Sequence, residues 1–428
     1  MDRFFQLTAN GTTPRTEAMA GLTTFLTMAY IVVVNPQILA AAGIPPGAAF
    51  VATCLAAAIG SALMGLLANY PIALAPGMGL NAYFAFAVVG GMGIPWPVAL
   101  GAVFISGMLF FVVSVAGFRE WLINGIPLSL KLGIAAGIGF FLGLIGLKNL
   151  GLVVANPATL VGMGSVNSLP VILGSVGFVL IAGLSARKVP GAIVIGILIT
   201  ALAGIPFGLT TFSGIASLPP SLAPTFLALD IPGALSLGLV GIVFTFFLVD
   251  LLDNAGTLIA TTHRAGLMQA DGSVPRLGRA LLADSGGAMM GAVLGTSTTV
   301  SYIESAAGIQ AGGRTGLTAV TVGVLFLLCL FLAPLATAIP AFATAPALIF
   351  VACLMAQSLR SLAWDDETEY LPAILAALAM PFTFSIATGI GIGFIVYAAT
   401  KTLAGRAGEV HGAVWVLAAL SAIRFALG

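Results

Sequence analysis

Apolar residues run along this chain in long blocks instead of alternating with polar ones. The blocks lie near 20–42, 47–68, 71–90, 95–117, 127–147, 169–186 and 189–205, then near 236–262, 279–296, 299–312, 315–338, 344–359, 370–385 and 386–402. A helix that crosses the hydrocarbon core of a bilayer takes about 20 residues. Some blocks fall short of that, and the tightest are 71–90 and 299–312. The pattern predicts an all-α polytopic membrane protein with fourteen transmembrane segments.

Composition agrees. Of 428 residues, 60% are hydrophobic and 7% charged, where a soluble domain has about 45–50% and about 25%. The surplus runs the whole length, which excludes a soluble domain with a single anchor. A net charge of +1 without a basic patch argues against a nucleic-acid partner. Cys54, Cys329 and Cys353 fall inside apolar blocks and read as small buried hydrophobes, neither disulfides nor metal ligands. The opening Met1-Asp-Arg-Phe-Phe-Gln-Leu7 lacks an apolar core followed by a small-residue cleavage site. The first span is therefore expected to stay in the mature protein.

Charge placement tests the span count. With a cytoplasmic N-terminus and fourteen alternating spans, thirteen of the fifteen Lys and Arg residues fall on or near the cytoplasmic side, from Arg3, Arg15 and Arg119 to Lys401 and Arg406. Lys148 falls outside, Arg424 lies in the last segment, and the external connection 206–230 carries no Lys or Arg. This is a positive-inside pattern. The expected location is a bacterial inner membrane, with the N-terminus cytoplasmic. The stretch His411–Leu427 is expected along the cytoplasmic interface, anchored by Trp415 and Arg424, with a further span as the alternative.

The two sets of seven spans echo each other. Thr24-Phe-Leu-Thr27 is similar to Thr245-Phe-Phe-Leu248, Ile126-Pro127 to Ile339-Pro340, and Ser168-Leu-Pro-Val-Ile-Leu173 to Tyr370-Leu-Pro-Ala-Ile-Leu375. A unit repeated after seven crossings is inverted in the membrane. The expected division is a first repeat over 1–205, an external connection over 206–235, a second repeat over 236–402 and a C-terminal apolar segment over 403–428. Inverted repeats place a site near the midplane, often at broken helices. The third span of each repeat fits that role. One reads Leu74-Ala-Pro-Gly-Met-Gly-Leu-Asn-Ala-Tyr-Phe84, the other Gly295-Thr-Ser-Thr-Thr-Val-Ser-Tyr-Ile-Glu-Ser-Ala-Ala-Gly308. Pro76, Gly77 and Gly79 disfavour regular helix, and the run Thr296–Tyr302 favours extended backbone. A short extended piece followed by a half-helix is expected in both, the two pieces bonding across the pseudo-symmetry axis and the half-helices offering free N–H groups to a ligand.

Three of the fourteen acidic residues, Asp250, Asp253 and Glu304, are placed deep in apolar blocks. Carboxylates at that depth are expensive and mark functional sites. Asp250 and Asp253 are three apart on one helix face, with no Lys or Arg at that depth to pair with either. Two such groups suit proton coupling. Ser301-Tyr-Ile-Glu304 also fits a capping box, which would make the acid a helix-start device. Asn81 offers donors and an acceptor at the first break, and Asn254, Gly256 and Thr257 add polarity beside Asp253. Thr24, Thr27, Tyr30 and Asn35 give the first span a scattered polar face of lower rank, since membrane hydroxyls often bond their own backbone. Asp284 is expected near an interface, and Asp365, Asp366, Glu367 and Glu369 as a solvated loop run. No His-Glu-x-x-His, Gly-x-Ser-x-Gly or phosphate loop occurs, and His263 and His411 sit at span ends. Neither an enzyme nor an ATP-driven pump is indicated.

Together, Leu74–Phe84, Val249-Asp-Leu-Leu-Asp-Asn-Ala-Gly-Thr257, Thr296–Ile309 and Ala311-Gly-Gly-Arg-Thr-Gly-Leu317 resemble the AzgA-like branch of the nucleobase:cation symporter-2 superfamily, whose members are adenine, guanine and hypoxanthine permeases. The resemblance covers essentially the whole chain. It implies fourteen spans with a core domain from spans 1–4 and 8–11 and a gate domain from spans 5–7 and 12–14. It further implies that Asp253 and Glu304 contact the base, with Asn81 in span 3 and Asp250 one turn before Asp253. Leu252 and Asn254 stand where this branch often has Phe and Thr, which bears on fine specificity. The candidate substrate-binding set is Glu304, Asp253, Asn81, Ser301 and Thr257, and the proton-coupling set is Asp250, Asp253 and Glu304.

The expected function is import of a purine nucleobase by proton symport with alternating access. A carboxylate accepts the ring and exocyclic N–H bonds of a neutral purine. No cofactor is expected beyond the coupling proton. The expected partners are a small-molecule purine nucleobase and the lipid bilayer, with no nucleic acid and with a homodimer left open. An anion exchanger or channel on the same architecture is the alternative; it would want an Arg or Lys near the breaks, and Arg314 lies at a cytoplasmic end. An intramembrane aspartyl enzyme using Asp250 and Asp253 is weaker, because two acids on one helix face cannot straddle a substrate.

Overall fold

The first apolar block is not one helix. Thr13 caps its start, its side chain accepting from the Thr16 N–H, with Pro14 in the first turn where no N–H is needed. Helix α1, Pro14–Met28, then gives way at Ala29–Tyr30 to α2, Ile31–Ala40, which carries Pro36 inside it. Helix α3, Pro46–Leu63, widens into a π turn over Met64–Ala68 and stops at Asn69 in the left-handed conformation. The chain continues through strand β1, Leu74–Pro76, helix α4, Met78–Ala82, a π-helical stretch Tyr83–Gly91, and α5, Trp96–Val115. After it come α6, Leu128–Leu150, strands β2, Val153–Asn156, and β3, Leu160–Met163, then α7, Leu169–Ala186, and α8, Ala192–Ala203. The remaining chain forms α9, Val240–Arg264, α10, Leu277–Leu294, β4, Thr299–Ser301, α11, Ser305–Gln310, and α12, Gly316–Cys329. It ends with α13, Ala341–Ala356, α14, Glu367–Thr383, α15, Ile386–Leu403, and α16, Gly412–Leu427.

The computed structural model describes residues 2–115, 125–211, 214–236, 240–265, 267 and 274–427. Arg119 lies outside the described residues, as do the side chains of Asp253, Leu252, His263, Arg264 and Arg424. Among the described residues eight helical stretches are long and apolar enough to cross a membrane, and shorter apolar helices occur at Met78–Gly91, Ala192–Phe207, Gly241–Leu251 and Gly412–Ile423. The chain is a multi-pass, mostly helical membrane protein.

It divides by internal contact into two units, one of Met1–Val115 with Ile172–Thr344 and one of Ala116–Val171 with Ala345–Gly428. The first unit is organised on β1 and β4, which pair antiparallel with Leu74 opposite Ser301, Ala75 opposite Val300 and Pro76 opposite Thr299. The pair is extended by Gly77 N–H to Thr298 O (2.9 Å) and Tyr302 N–H to Ala73 O (3.0 Å). Remaining backbone groups go to side chains. Ser61 Oγ donates to Leu74 O (3.0 Å) and accepts from Leu74 N–H (2.9 Å), and Ser305 Oγ accepts from Ala73 N–H (3.0 Å). Every residue of both strands is buried, so these bonds replace the water that buried backbone would otherwise lack. Met64, Tyr70, Ile72, Leu258 and Leu281 pack around Leu74. Gly295 ends α10 at φ +96°, and a Cβ there would strike Thr225; only glycine fits this turn into β4.

In the second unit α14 packs on α6 and α15, and Gly133 and Gly137 let α6 approach Ala373 and Ala377 closely. Helix α16 lies against α15, with Ser421 and Phe425 beside Gly391. Two sequence expectations change in this unit, and one element was not foreseen. The acidic run is solvated only in part, with Asp365 and Glu367 exposed. Asp366 caps α14 and binds Arg406 (2.7 Å), while Glu369 binds the ammonium of Lys401 (2.7 Å), whose side chain is 1% exposed and also meets Glu409 (2.9 Å). Polar side chains from α6 and α15 converge there, Ser129 and Tyr397 both donating to Glu369. Cys353 is exposed, unlike Cys54 and Cys329, because position 353 points away from the packed face of α13. Finally, β2 and β3 form a hairpin between α6 and α7. Asn156 starts its turn, accepting from Ala158 N–H (2.8 Å).

Candidate functional site

The polar groups of the first unit converge on the two strands. Asn81, on α4 just beyond β1, is fully buried. Its amide N–H donates to Asn35 Oδ1 of α2, and its Oδ1 accepts from Ser297 Oγ, ahead of β4. Asn35 in turn donates to Thr53 Oγ1 (2.8 Å) on α3 and Thr296 Oγ1 (2.9 Å). One carboxamide pair thus ties the segments next to β1 and β4 together. A buried amide left without these partners would cost about 1–3 kcal/mol, so the network fixes a single arrangement.

A second chain of bonds runs from α9. Asp250 is fully buried, and its Oδ1 accepts from Asn254 Nδ2 (2.7 Å) one turn on. Asn254 Oδ1 accepts the backbone N–H of Ser301 (2.9 Å), and Ser301 Oγ donates to Asp284 Oδ1 (3.1 Å) on α10. Asp284 is not interfacial: it is fully buried against β4. Thr257 lies on the Asp250–Asn254 face of α9, partly buried, its carbonyl accepting from Thr261 Oγ1 (2.6 Å). Asp253 belongs to α9, but its side chain is outside the described residues.

Glu304 sits at the junction of β4 and α11 and is partly exposed. No capping box forms there. Helix α11 starts at Ser305, Glu304 makes no side-chain cap bond, and the Ser301 hydroxyl is committed to Asp284 because residue 301 remains in the strand. The Glu304 carboxylate instead accepts from Tyr30 O–H through Oε1 (2.7 Å), and Thr27 Oγ1 approaches its carbonyl (3.4 Å). Among the described residues no other residue donates to its Oε2. Just past α11, the Arg314 guanidinium donates to Ile309 O (2.7 Å) and Gly313 O (2.8 Å). Glu17 of α1, fully buried, accepts from the backbone of Arg314 and from Thr315 and Thr318, holding the start of α12.

Of the candidates, Asn81, Asp250, Ser301 and Glu304 all attach to the β1–β4 pair or the turns flanking it, and Thr257 stands beside them on α9. Sequence reasoning undervalued Tyr30 and Asn35 and missed Glu17 and the burial of Asp284. Tyr30 and Asn35 carried a signal in the Asn35-Pro36 interruption of the first span, since proline frees a carbonyl one turn earlier. Glu17 and Asp284 carried none, because their partners lie far away in sequence.

The match to the family model described as a permease family covers residues 15–392. The adenine permease AdeQ of Escherichia coli K12 is 50% identical over 427 residues, covering 100% of this chain and 96% of the relative. The guanine/hypoxanthine permease PbuG of Bacillus subtilis 168 is 48% identical over 423 residues, with 96% of each chain covered. Among solved structures, the transmembrane domain of the cyanobacterial bicarbonate transporter BicA superposes with a TM-score of 0.67 at 15% identity, covering 87% of this chain and 96% of that one. At that identity the likeness speaks for the fold alone. The relatives are permeases and not enzymes, and the chain belongs to the permease family, the nucleobase:cation symporters that its motifs resemble.

Proposed function

We propose that this protein is a secondary active transporter that imports a purine nucleobase, adenine, guanine or hypoxanthine, by proton symport with alternating access. The observation that carries the reading is the Glu304 carboxylate, anchored on one oxygen by Tyr30 and taking no bond from another residue on its other oxygen among the described residues, beside β strands locked to α9 and α10. A carboxylate with a free acceptor matches the N–H edge of a neutral purine, and a neutral ligand adds no charge to a low-dielectric site. The permease relatives named for adenine and for guanine and hypoxanthine support the substrate class.

In this reading Glu304 and Asp253 recognise the base, with Ser301 and Thr257 beside them, and Asn81 shapes the site by joining the breaks. Asp250, Asp253 and Glu304 carry the coupling proton. The bond chain from Asp250 through Asn254 to the β4 backbone links the position of the Asp250 carboxyl mechanically to the strand beside Glu304. The finer architecture is part of the proposal: fourteen spans in two inverted repeats, spans 3 and 10 broken at β1 and β4, and core and gate domains from spans 1–4 with 8–11 and spans 5–7 with 12–14. So are a bacterial inner-membrane location, a cytoplasmic N-terminus and an interfacial α16. The anion-exchanger reading is disfavoured because the Arg314 guanidinium is spent on backbone carbonyls. Uptake of labelled adenine, guanine, hypoxanthine, xanthine and uracil into proteoliposomes, with and without a pH gradient, tests the proposal. Gradient-driven purine uptake is expected, and chloride or sulfate flux without purine flux contradicts it.

A further inference from the structure

We infer that Tyr30 is a positioning residue for substrate recognition: its hydroxyl occupies Glu304 Oε1 and so assigns Oε2 to the ligand. This deepens the role proposed for Glu304 and rests on it. Tyr30 is 2% exposed and lies at the junction of α1 and α2, where the first span is interrupted. Its O–H reaches Glu304 Oε1 at 2.7 Å, and Thr27, three residues earlier, approaches the carbonyl of the same residue at 3.4 Å. Residue 304 is therefore held at backbone and side chain by the end of α1 and the junction after it, some 274 positions away.

The geometry has a chemical consequence. A glutamate carboxylate oriented by three rotatable bonds presents either oxygen in many orientations, and ligand binding then has to pay the ordering entropy. A buried phenol that donates to one oxygen leaves a single acceptor at a set angle. A short O–H···O⁻ bond of this kind is about twice as strong as a neutral one. The alternative role for the contact is simply to satisfy a buried phenol. That role predicts a loss of stability in a variant but no change in how the carboxylate meets its ligand.

The test is Tyr30→Phe in proteoliposomes, with adenine, guanine and hypoxanthine as probes and calorimetric titration of each base on the purified protein. The variant should raise KM and Kd about tenfold while Vmax stays near wild type, the signature of lost binding common to ground and transition states. In a Glu304→Gln background the same substitution should add little, because the two residues act as one unit. Unchanged KM and Kd in Tyr30→Phe, or an effect of full size in the Glu304→Gln background, overturns the inference. If the phenylalanine variant does not fold, site-specific fluorotyrosines at position 30 keep the shape and change only the donor. KM graded with fluorination supports the role, and KM indifferent to it overturns it. Wild-type protein that binds none of the three bases removes the substrate reading together with this one; purine binding that ignores Tyr30 removes this one alone.

Discussion

Glu304 and Asp250 differ in what surrounds them, and the difference assigns them separate tests. Glu304 is partly exposed and takes no bond from another described residue on its Oε2, whereas Asp250 is fully buried with Asn254 on its Oδ1. Replacing Glu304 by Gln puts a donor where the ligand needs an acceptor. A hydrogen bond to a charged group contributes about 1.5–3 kcal/mol, so Glu304→Gln should weaken purine binding about 10- to 100-fold by calorimetry. Asp250→Asn keeps an oxygen to receive Asn254 Nδ2, so the fold and the site geometry should survive. It cannot exchange a proton. Asp250→Asn should therefore still catalyse purine counterflow but lose accumulation driven by a pH gradient; full gradient-driven accumulation in this variant removes Asp250 from the coupling set. At this scale the sequence was legible where a polar residue interrupts an apolar run, as Asn81 and Glu304 do. It was not legible where the meaning of a residue depends on a distant partner. Asp284 beside Ser301 and Glu17 beneath Thr318 look ordinary until the chain is folded.

Strands β1 and β4 and the segments beside them hold these residues, and their stability comes from a few small side chains. Proline and glycine at Leu74-Ala-Pro-Gly77 and a β-branched run at Thr298–Val300 announced extended backbone in advance. Which groups complete its hydrogen bonding was hidden, because Ser61, Asn254 and Ser305 come from three other elements. The hairpin at 153–163 went unnoticed for a related reason: Val153-Val-Ala-Asn156 is too short to stand out between two apolar blocks. Gly295→Ala forces a side chain into the left-handed region and against Thr225. It should lower stability by about 1–3 kcal/mol, read as a drop in melting temperature of the detergent-solubilised protein. Purine, if the site still forms, should recover part of that loss by mass action.

On the scale of the whole chain, membrane class and family were legible from block length and four motifs, whereas the ion cluster of the second unit was not. Lys401 is buried among Glu369, Glu409 and the hydroxyl of Tyr397. Lys401→Met should lower the melting temperature of the detergent-solubilised protein, since it leaves the half-shielded Glu369 without its ammonium partner, while Glu409 can turn to water. The hydroxyl of Thr368 and the guanidinium of Arg406 hold Asp366 down to about 2, and Arg406 and Lys401 hold Glu409 down to about 2. Their unfolded values are about 3.9 and about 4.3. Groups depressed in the folded state stabilise it above the unfolded values, and that contribution fades as pH falls through the folded ones. The melting-temperature deficit of Arg406→Gln should thus persist from pH 8 to about 4 and close toward about 2; a deficit that already vanishes at about pH 6 contradicts the assignment. Salt should shrink it, because these carboxylates reach solvent. The central claim is tested most directly by uptake of radiolabelled adenine, guanine and hypoxanthine into proteoliposomes of the purified wild-type protein, with an inward proton gradient imposed and then collapsed by an ionophore. The account predicts concentrative uptake of at least one of the three that collapses with the gradient. Purine uptake indifferent to the gradient, or none at all, would contradict it.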